Sequence, residues 1–366
     1  MNDNNNDKHH EIKETKNKMA PMPYLPFTTE ETLKACVDIS LKSNDIFICS
    51  YPKSGTTWVQ HIIISILLCH KVNTGKMSNQ PREYTHVSQF APFFEVKDHW
   101  DWDAIQNNST IQLRSDIREN HEWLGWRVVN THLRWNMLPK KNIISSLIDS
   151  QFNRQEQTRK PKFIYLIRSP LDVCVSFYHH LSNQVEGGYD GTMNEFFNEW
   201  MNGEIPFGTW VDHIRSFLPA FEDKDSDIDV LLVSYEEMVS NLPHVLDQII
   251  AFLDLDKSIT SKQRQDLLPT FQFENMKQSL SKFQPISVTW KQKQITNLSD
   301  HSSYTKSFQF LRNGKSGDSK NYLSINQRQL FVESLKQSSL LEEMKHESTK
   351  MKSNDFQILQ SIIKNI

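Results

Sequence analysis

The chain has 366 residues, 37% of them hydrophobic and 23% charged, with 41 Lys and Arg against 44 Asp and Glu. That length suits one large α/β domain, and a net charge of −3 excludes the strongly basic surface that nucleic acid or an anionic membrane selects. Four scattered cysteines, Cys36, Cys49, Cys69 and Cys174, form no disulfide or zinc pattern and read as reduced core residues. Residues 1–20 are rich in Asn, Lys, Asp and Glu without an apolar run, so a disordered polar tail is expected, followed by a single domain over 21–366. The strongest apolar run, Ile62 to Cys69, is far too short to span a bilayer, which points to a soluble, cytoplasmic protein.

The first predicted strand, Asp45–Ser50, runs into Tyr51-Pro52-Lys53-Ser54-Gly55-Thr56-Thr57-Trp58 and then into an apolar helix from Val59. A strand, a tight cationic loop and a helix N-terminus make an oxyanion cradle. The free amides and partial positive charge of the helix start face the loop, and Lys53 adds a full charge. Gly55 lets the backbone approach closely, and Ser54, Thr56 and Thr57 add hydroxyls. A nucleoside-triphosphate loop would read G-x-x-x-x-G-K-[ST], whereas Lys53 precedes the loop's glycine, so a magnesium nucleotide is disfavoured.

Asn79 to Asn120 lacks clean periodicity and is expected to wall a pocket, with Phe93, Phe94, Trp100 and Trp102 as candidates. Further strands are predicted at Trp126–Asn130, Lys162–Ile167 and Ile228–Ser234, separated by helical patterns. The fold class is therefore α/β, a central parallel sheet with helices on both faces. Ligands in such sheets sit beyond the carboxyl ends of the strands. Lys53, His132, Arg168 and Tyr235 each follow one of the four predicted strands, so one composite site is expected. Arg168 opens Arg168-Ser169-Pro170-Leu171-Asp172, in which Ser169 and Asp172 read as a box-like helix cap around Pro170. Taken alone, Arg168 reads more readily as a surface ion pair and His132 as a packing residue. Gln284 to Ser319 is aperiodic and reads as a closing flap, and Gln327 to Ile366 reads as helix. No H-E-x-x-H or C-x-x-C pattern suggests a metal.

The Lys53 loop resembles the phosphosulfate-binding loop of the cytosolic-type sulfotransferases, which carry a sulfuryl group from 3′-phosphoadenosine-5′-phosphosulfate (PAPS) to a hydroxyl or amine, leaving PAP. Arg168 with Ser176, and Phe310-Leu311-Arg312-Asn313-Gly314-Lys315-Ser316-Gly317-Asp318, resemble that family's two 3′-phosphate-binding segments. The resemblance, over about 40–330, implies the P-loop-kinase-like sulfotransferase fold, PAPS as donor and no metal. It implies His132 as general base and Lys53 as charge stabiliser. Lys53 to Trp58, Arg168, Ser176, Tyr235, Phe273, Met276, Arg312 and Gly314 would hold the nucleotide. Phe93, His180 and Phe207 would line a pocket for a small aromatic or apolar acceptor, and His180 suggests a more polar one. The family's frequent lysine two residues before the histidine is Asn130 here, and the family's dimer motif is degenerate at Lys320, Ser324, Ile325 and Gln329. A nucleotide kinase or NTPase of related architecture, and a silent adenosine-bisphosphate binder, stand as the alternatives.

Overall fold

The computed structural model describes residues 22–75, 84–140, 159–222, 227–296, 303–307, 310–347 and 353–364. The expected tail over 1–20 lies outside the described residues. Four parallel strands, β1 (Asp45–Ser50), β2 (Arg127–Thr131), β3 (Lys162–Ile167) and β4 (Asp229–Ser234), form one sheet in the order β2-β1-β3-β4. β1 and β3 have the predicted bounds, while β2 begins and ends one residue later than predicted and β4 begins one later. Every residue of β1 and of β3 is buried, which explains why both read as continuous apolar runs rather than alternating ones.

Side chains along each strand alternate between two apolar clusters. Phe47, Cys49, Phe163, Tyr165 and Leu232 join one, and Ile46, Ile48, Ile164, Leu166 and Val233 join the other. The chain passes from β1 to β2 on one side and to β3 on the other, so β1 ends at the topological switch point. The carboxyl ends are level there, with Cys49 opposite both Thr131 and Tyr165 and Ile167 opposite Ser234.

The helices follow in chain order. α1 (Glu30–Asp38) precedes the sheet, and α2 (Thr56–Asn73) follows β1. The β-branched run Ile62–Ile64 is helical because it is wholly buried, so tertiary packing overrides a weak helix propensity. The stretch 79–120, read above as aperiodic, contains α3 (Trp102–Asn108) and the start of α4 (Ser115–Leu124). α4 buries Ile117, His121 and Leu124, a helical spacing obscured by the intervening charges. α5 (Pro170–Ser182), α6 (Met193–Asn202) and α7 (Trp210–Glu222) cross from β3 to β4. α8 (Tyr235–Ser240), α9 (Leu242–Phe252), α10 (Ser261–Leu267) and α11 (Phe273–Gln278) come next.

The expected flap contains an antiparallel pair, β5 (Gln292–Thr296) with β6 (Ser303–Ser307). The expected C-terminal helix is divided into α12 (Ile325–Gln337), α13 (Leu340–Glu347) and α14 (Ser353–Lys364). All four cysteines are free, and three are fully buried. Among the described residues no helix is long and apolar enough to cross a membrane.

Candidate active site

The turn after β1 is held in a costly backbone conformation. Lys53 sits at φ +68°, a region that non-glycine residues rarely occupy, and Gly55 follows at φ +105° as the N-cap of α2. A Cβ at Gly55 would lie 2.7 Å from the Tyr235 ring, so both the dihedral and the close approach demand glycine. The turn leaves the first amides of α2 facing outward from the sheet, where helix polarity favours an anion. Lys53 Nζ stands 3.2 Å from His180 Nδ1 and 4.3 Å from the centre of the Phe310 ring. Burial, with the positive charges of Arg168 and Arg312, pulls the Lys53 ammonium down to about 7.

Arg168 lies over the Tyr235 ring, its guanidinium carbon 4.1 Å from the ring centre. It donates from Nη1 to the Lys53 carbonyl at 3.1 Å and from Nη2 to the Lys315 carbonyl at 3.2 Å, so it ties the first loop to the last. The box-like cap expected at the start of α5 is not formed. Ser169 makes no side-chain cap, and its N–H donates to Glu236 Oε1 at 2.9 Å. Asp172 instead accepts the Gly317 N–H at 2.6 Å and the Ser319 N–H at 2.8 Å, which pins the loop that carries Arg312 and Gly314. Arg312 pairs with Asp318 in the same loop, and a Cβ at Gly314 would fall 2.3 Å from the Phe273 ring.

His132 follows β2 with its ring packed against both Phe93 and Phe207, at centroid distances of 5.1 and 5.4 Å. Its Nδ1 is 2.8 Å from the Ser50 carbonyl oxygen, which can only accept, so the proton is on Nδ1 and the Nε2 lone pair is left over. Burial lowers the imidazole to about 4, the Ser50 bond opposing and Lys53 adding to the shift. The His132 N–H donates to Glu95 Oε1 at 2.6 Å, and burial raises that carboxyl to about 8, so it is held protonated at neutral pH. His213 donates to the His132 carbonyl at 3.0 Å and accepts from the Tyr165 hydroxyl at 2.9 Å. Asn130 is spent on structure, its amide donating to the Ala91 carbonyl at 2.8 Å.

Lys53, Arg168, Arg312 and His132 border one cavity of about 250 Å³. His132, Lys53, Gly55, Thr56, Thr57, Trp58, Arg168, Ser176, Tyr235, Phe273, Met276, Arg312 and Gly314 line it together with Phe93, His180 and Phe207. Ser54 does not line it, and its buried hydroxyl has no protein partner among the described residues. Phe94 and Trp100, read above as wall candidates, are core residues instead, packed on each other with ring centres 5.2 Å apart, and Trp102 also stands off the cavity. The sequence reading passed over Leu25, Phe27, His86, His99 and Phe177, which also border the cavity. Leu25 and Phe27 precede the first helix and carry no local signal of their role. Pro285 to Val288, at the start of the aperiodic segment read as a flap, line the cavity as well.

The cavity also fits a polyanion with an aromatic end. Arg168 Nε and Trp58 Nε1 are buried without a protein partner among the described residues, and three cations converge beside aromatic faces. Among the described residues no cluster of His, Cys, Asp and Glu could hold a metal ion.

Comparison with known proteins bears on the same residues. The sulfotransferase domain family matches residues 43–348. Luciferin sulfotransferase of Photinus pyralis is 27% identical over 305 residues, covering 82% of this chain and 72% of that protein. Sulfotransferase 1B1 of Canis lupus familiaris is 28% identical over 292 residues, 79% of this chain and 81% of that protein. Mouse sulfotransferase SULT7A1, solved in complex with PAP, shares the fold with a TM-score of 0.56 at 21% identity, covering 88% of this chain and 94% of that one. Retinol dehydratase, solved with androsterone and PAP, gives a TM-score of 0.55 at 19% identity over 87% of this chain and 88% of that one.

Proposed function

The chain belongs to the sulfotransferase domain family, and from that premise we propose that its cavity takes PAPS and transfers the sulfuryl group to a hydroxyl or amine of a small aromatic or apolar acceptor. The observation that carries this reading is the meeting, in one cavity, of Lys53 and the α2 amides with Arg168, Arg312 and the outward lone pair of His132. Tyr235, Trp58, Phe273 and Met276 would hold the adenine end, and Arg168, Ser176, Arg312 and the Gly314 backbone the 3′-phosphate. PAPS supplies an activated sulfuryl group when bound. His132 Nε2 takes the proton of the acceptor hydroxyl as the new oxygen–sulfur bond forms and the bond from sulfur to the bridging oxygen breaks. Lys53 and the α2 amides hold the charge that gathers on that bridging oxygen. PAP then leaves with the electron pair.

Phe93 and Phe207 confine the acceptor against His132, and the same reading includes a homodimer, since Ile325 of the degenerate motif and Leu330 just after it are exposed. The test is thermal stabilisation in the absence of magnesium. PAP at about 100 times its Kd should add about 2.7 kcal/mol of stability, and ATP much less. Stabilisation by ATP but not by PAP would overturn the donor assignment and favour a kinase.

A further inference from the structure

We propose that His99 is a specificity-determining residue that accepts a hydrogen bond from a second hydroxyl of the acceptor, so the preferred acceptors are dihydroxy compounds on a compact rigid skeleton. The proposal rests on the reading of the cavity as a sulfuryl-transfer site. His99 borders that cavity from a short turn six residues after Phe93. Its position is fixed from two sides. The His99 carbonyl accepts the Arg114 N–H at 3.0 Å, and its Nδ1 is 2.6 Å from the Phe93 carbonyl oxygen.

A carbonyl cannot donate, so the His99 proton is on Nδ1 and a lone pair remains on Nε2. No protein partner takes that lone pair among the described residues, and burial holds the ring neutral by lowering its pKa. His132 has the same arrangement, with Nδ1 on the Ser50 carbonyl and Nε2 left over. Two neutral imidazoles thus border one cavity, each with Nδ1 taken by a carbonyl and Nε2 left to accept, and Phe93 touches both: its ring lies against His132 and its carbonyl holds His99.

An apolar acceptor with a single hydroxyl would satisfy His132 and leave His99 Nε2 facing carbon, a desolvation cost with no return. An acceptor with a second hydroxyl satisfies both. Because one residue touches both imidazoles, the second hydroxyl belongs on the same ring system as the first. A methyl ether in its place can accept but not donate, so it would lose the bond while keeping nearly the same shape.

The experiment compares matched pairs as acceptors: 2,6-dihydroxynaphthalene with 6-methoxy-2-naphthol, 4,4′-dihydroxybiphenyl with its monomethyl ether, and resorcinol with 3-methoxyphenol. For the best-fitting pair the diol should exceed its ether in kcat/KM by about tenfold or more, beyond the statistical advantage of two equivalent hydroxyls. His99→Leu should erase that preference by lowering the rate on the diols while the ethers, relieved of an unsatisfied nitrogen, react as fast or faster, and His99→Gln, which keeps an acceptor oxygen, should retain part of it. No preference in any pair, a preference that survives His99→Leu, or an equal fall on diols and ethers would overturn the assignment, the last marking a purely structural role. If no member turns over, the same pairs are compared as Kd on the PAP-loaded protein, and equal affinities overturn it. Failure to bind PAP at all would instead overturn the reading of the site.

Discussion

Lys53 is a cation kept where a cation is costly. Partly buried, and flanked by Arg168 and Arg312, its ammonium has a pKa of about 7 in the free protein. A bound phosphate neutralises those neighbours and raises the pKa, so the complex holds a proton that the free protein has begun to lose. Affinity for PAP should therefore fall from about pH 7 to about pH 9, a range in which the phosphates of PAP are already ionised. Calorimetry in buffers of different ionisation enthalpy should register proton uptake on binding, and Lys53→Met should abolish the uptake and weaken PAP about 10- to 100-fold, the worth of one charged hydrogen bond. Uptake unchanged in that variant would move the titration to another group. His132 carries a separate expectation. Its imidazole is neutral above about pH 5 because burial sets its pKa near 4, and in the proposed reaction Nε2, the nitrogen not bonded to Ser50, would be the base. His132→Ala should lower kcat by about 10²- to 10⁴-fold with the Kd for PAP little changed. Near wild-type turnover would remove it from the chemistry.

At the scale of elements, the site is a set of strand ends tied together by contacts remote in sequence. Asp172, in the first turn of α5, accepts two amides of the loop around Gly317, so a single carboxylate sets how that loop lies over the cavity. Asp172→Ala would strand the buried Ser319 amide at a cost of about 1–3 kcal/mol. The melting point should drop and PAP binding weaken, while Asp172→Asn, which keeps one acceptor oxygen, should fall between; unaltered PAP affinity in both would mean that the loop closes without this tie. The strands and the Lys53 turn were legible in the sequence because runs buried on both faces and a loop rich in Gly, Thr and Lys are local signals. The role of Asp172 was not, since its spacing from Ser169 imitates a helix cap and its partners are 145 and 147 residues away. His99 escaped for a similar reason: a histidine in an irregular segment acquires meaning only when Phe93 and the cavity are placed beside it.

Across the whole molecule, the sheet divides the core, and the half that contains Tyr165 and His213 also receives the C-terminal helix. α14 lies beyond the sulfotransferase family match, which ends at residue 348, yet it packs against β4 and buries Ile358, Leu359 and Ile362 among the residues that back the site. Sequence periodicity indicated a helix there and could not indicate where it docks, because docking depends on an apolar face of the sheet assembled from segments far upstream. The burial argues that α14 is part of the folded unit. Since Leu359 is only 1% exposed, Leu359→Ala should lower stability by about 2–5 kcal/mol, the usual cost of a cavity left in a packed core. Lys53, Arg168 and His132 stand at the carboxyl ends of the strands, away from that helix, so the Kd for PAP of the folded variant should be unchanged. Chemical denaturation read alongside PAP titration separates the two effects. A loss of PAP affinity without a loss of stability would connect the C-terminal helix to the site itself, and an unchanged denaturation midpoint would mean that the helix rests on the sheet without contributing to its stability.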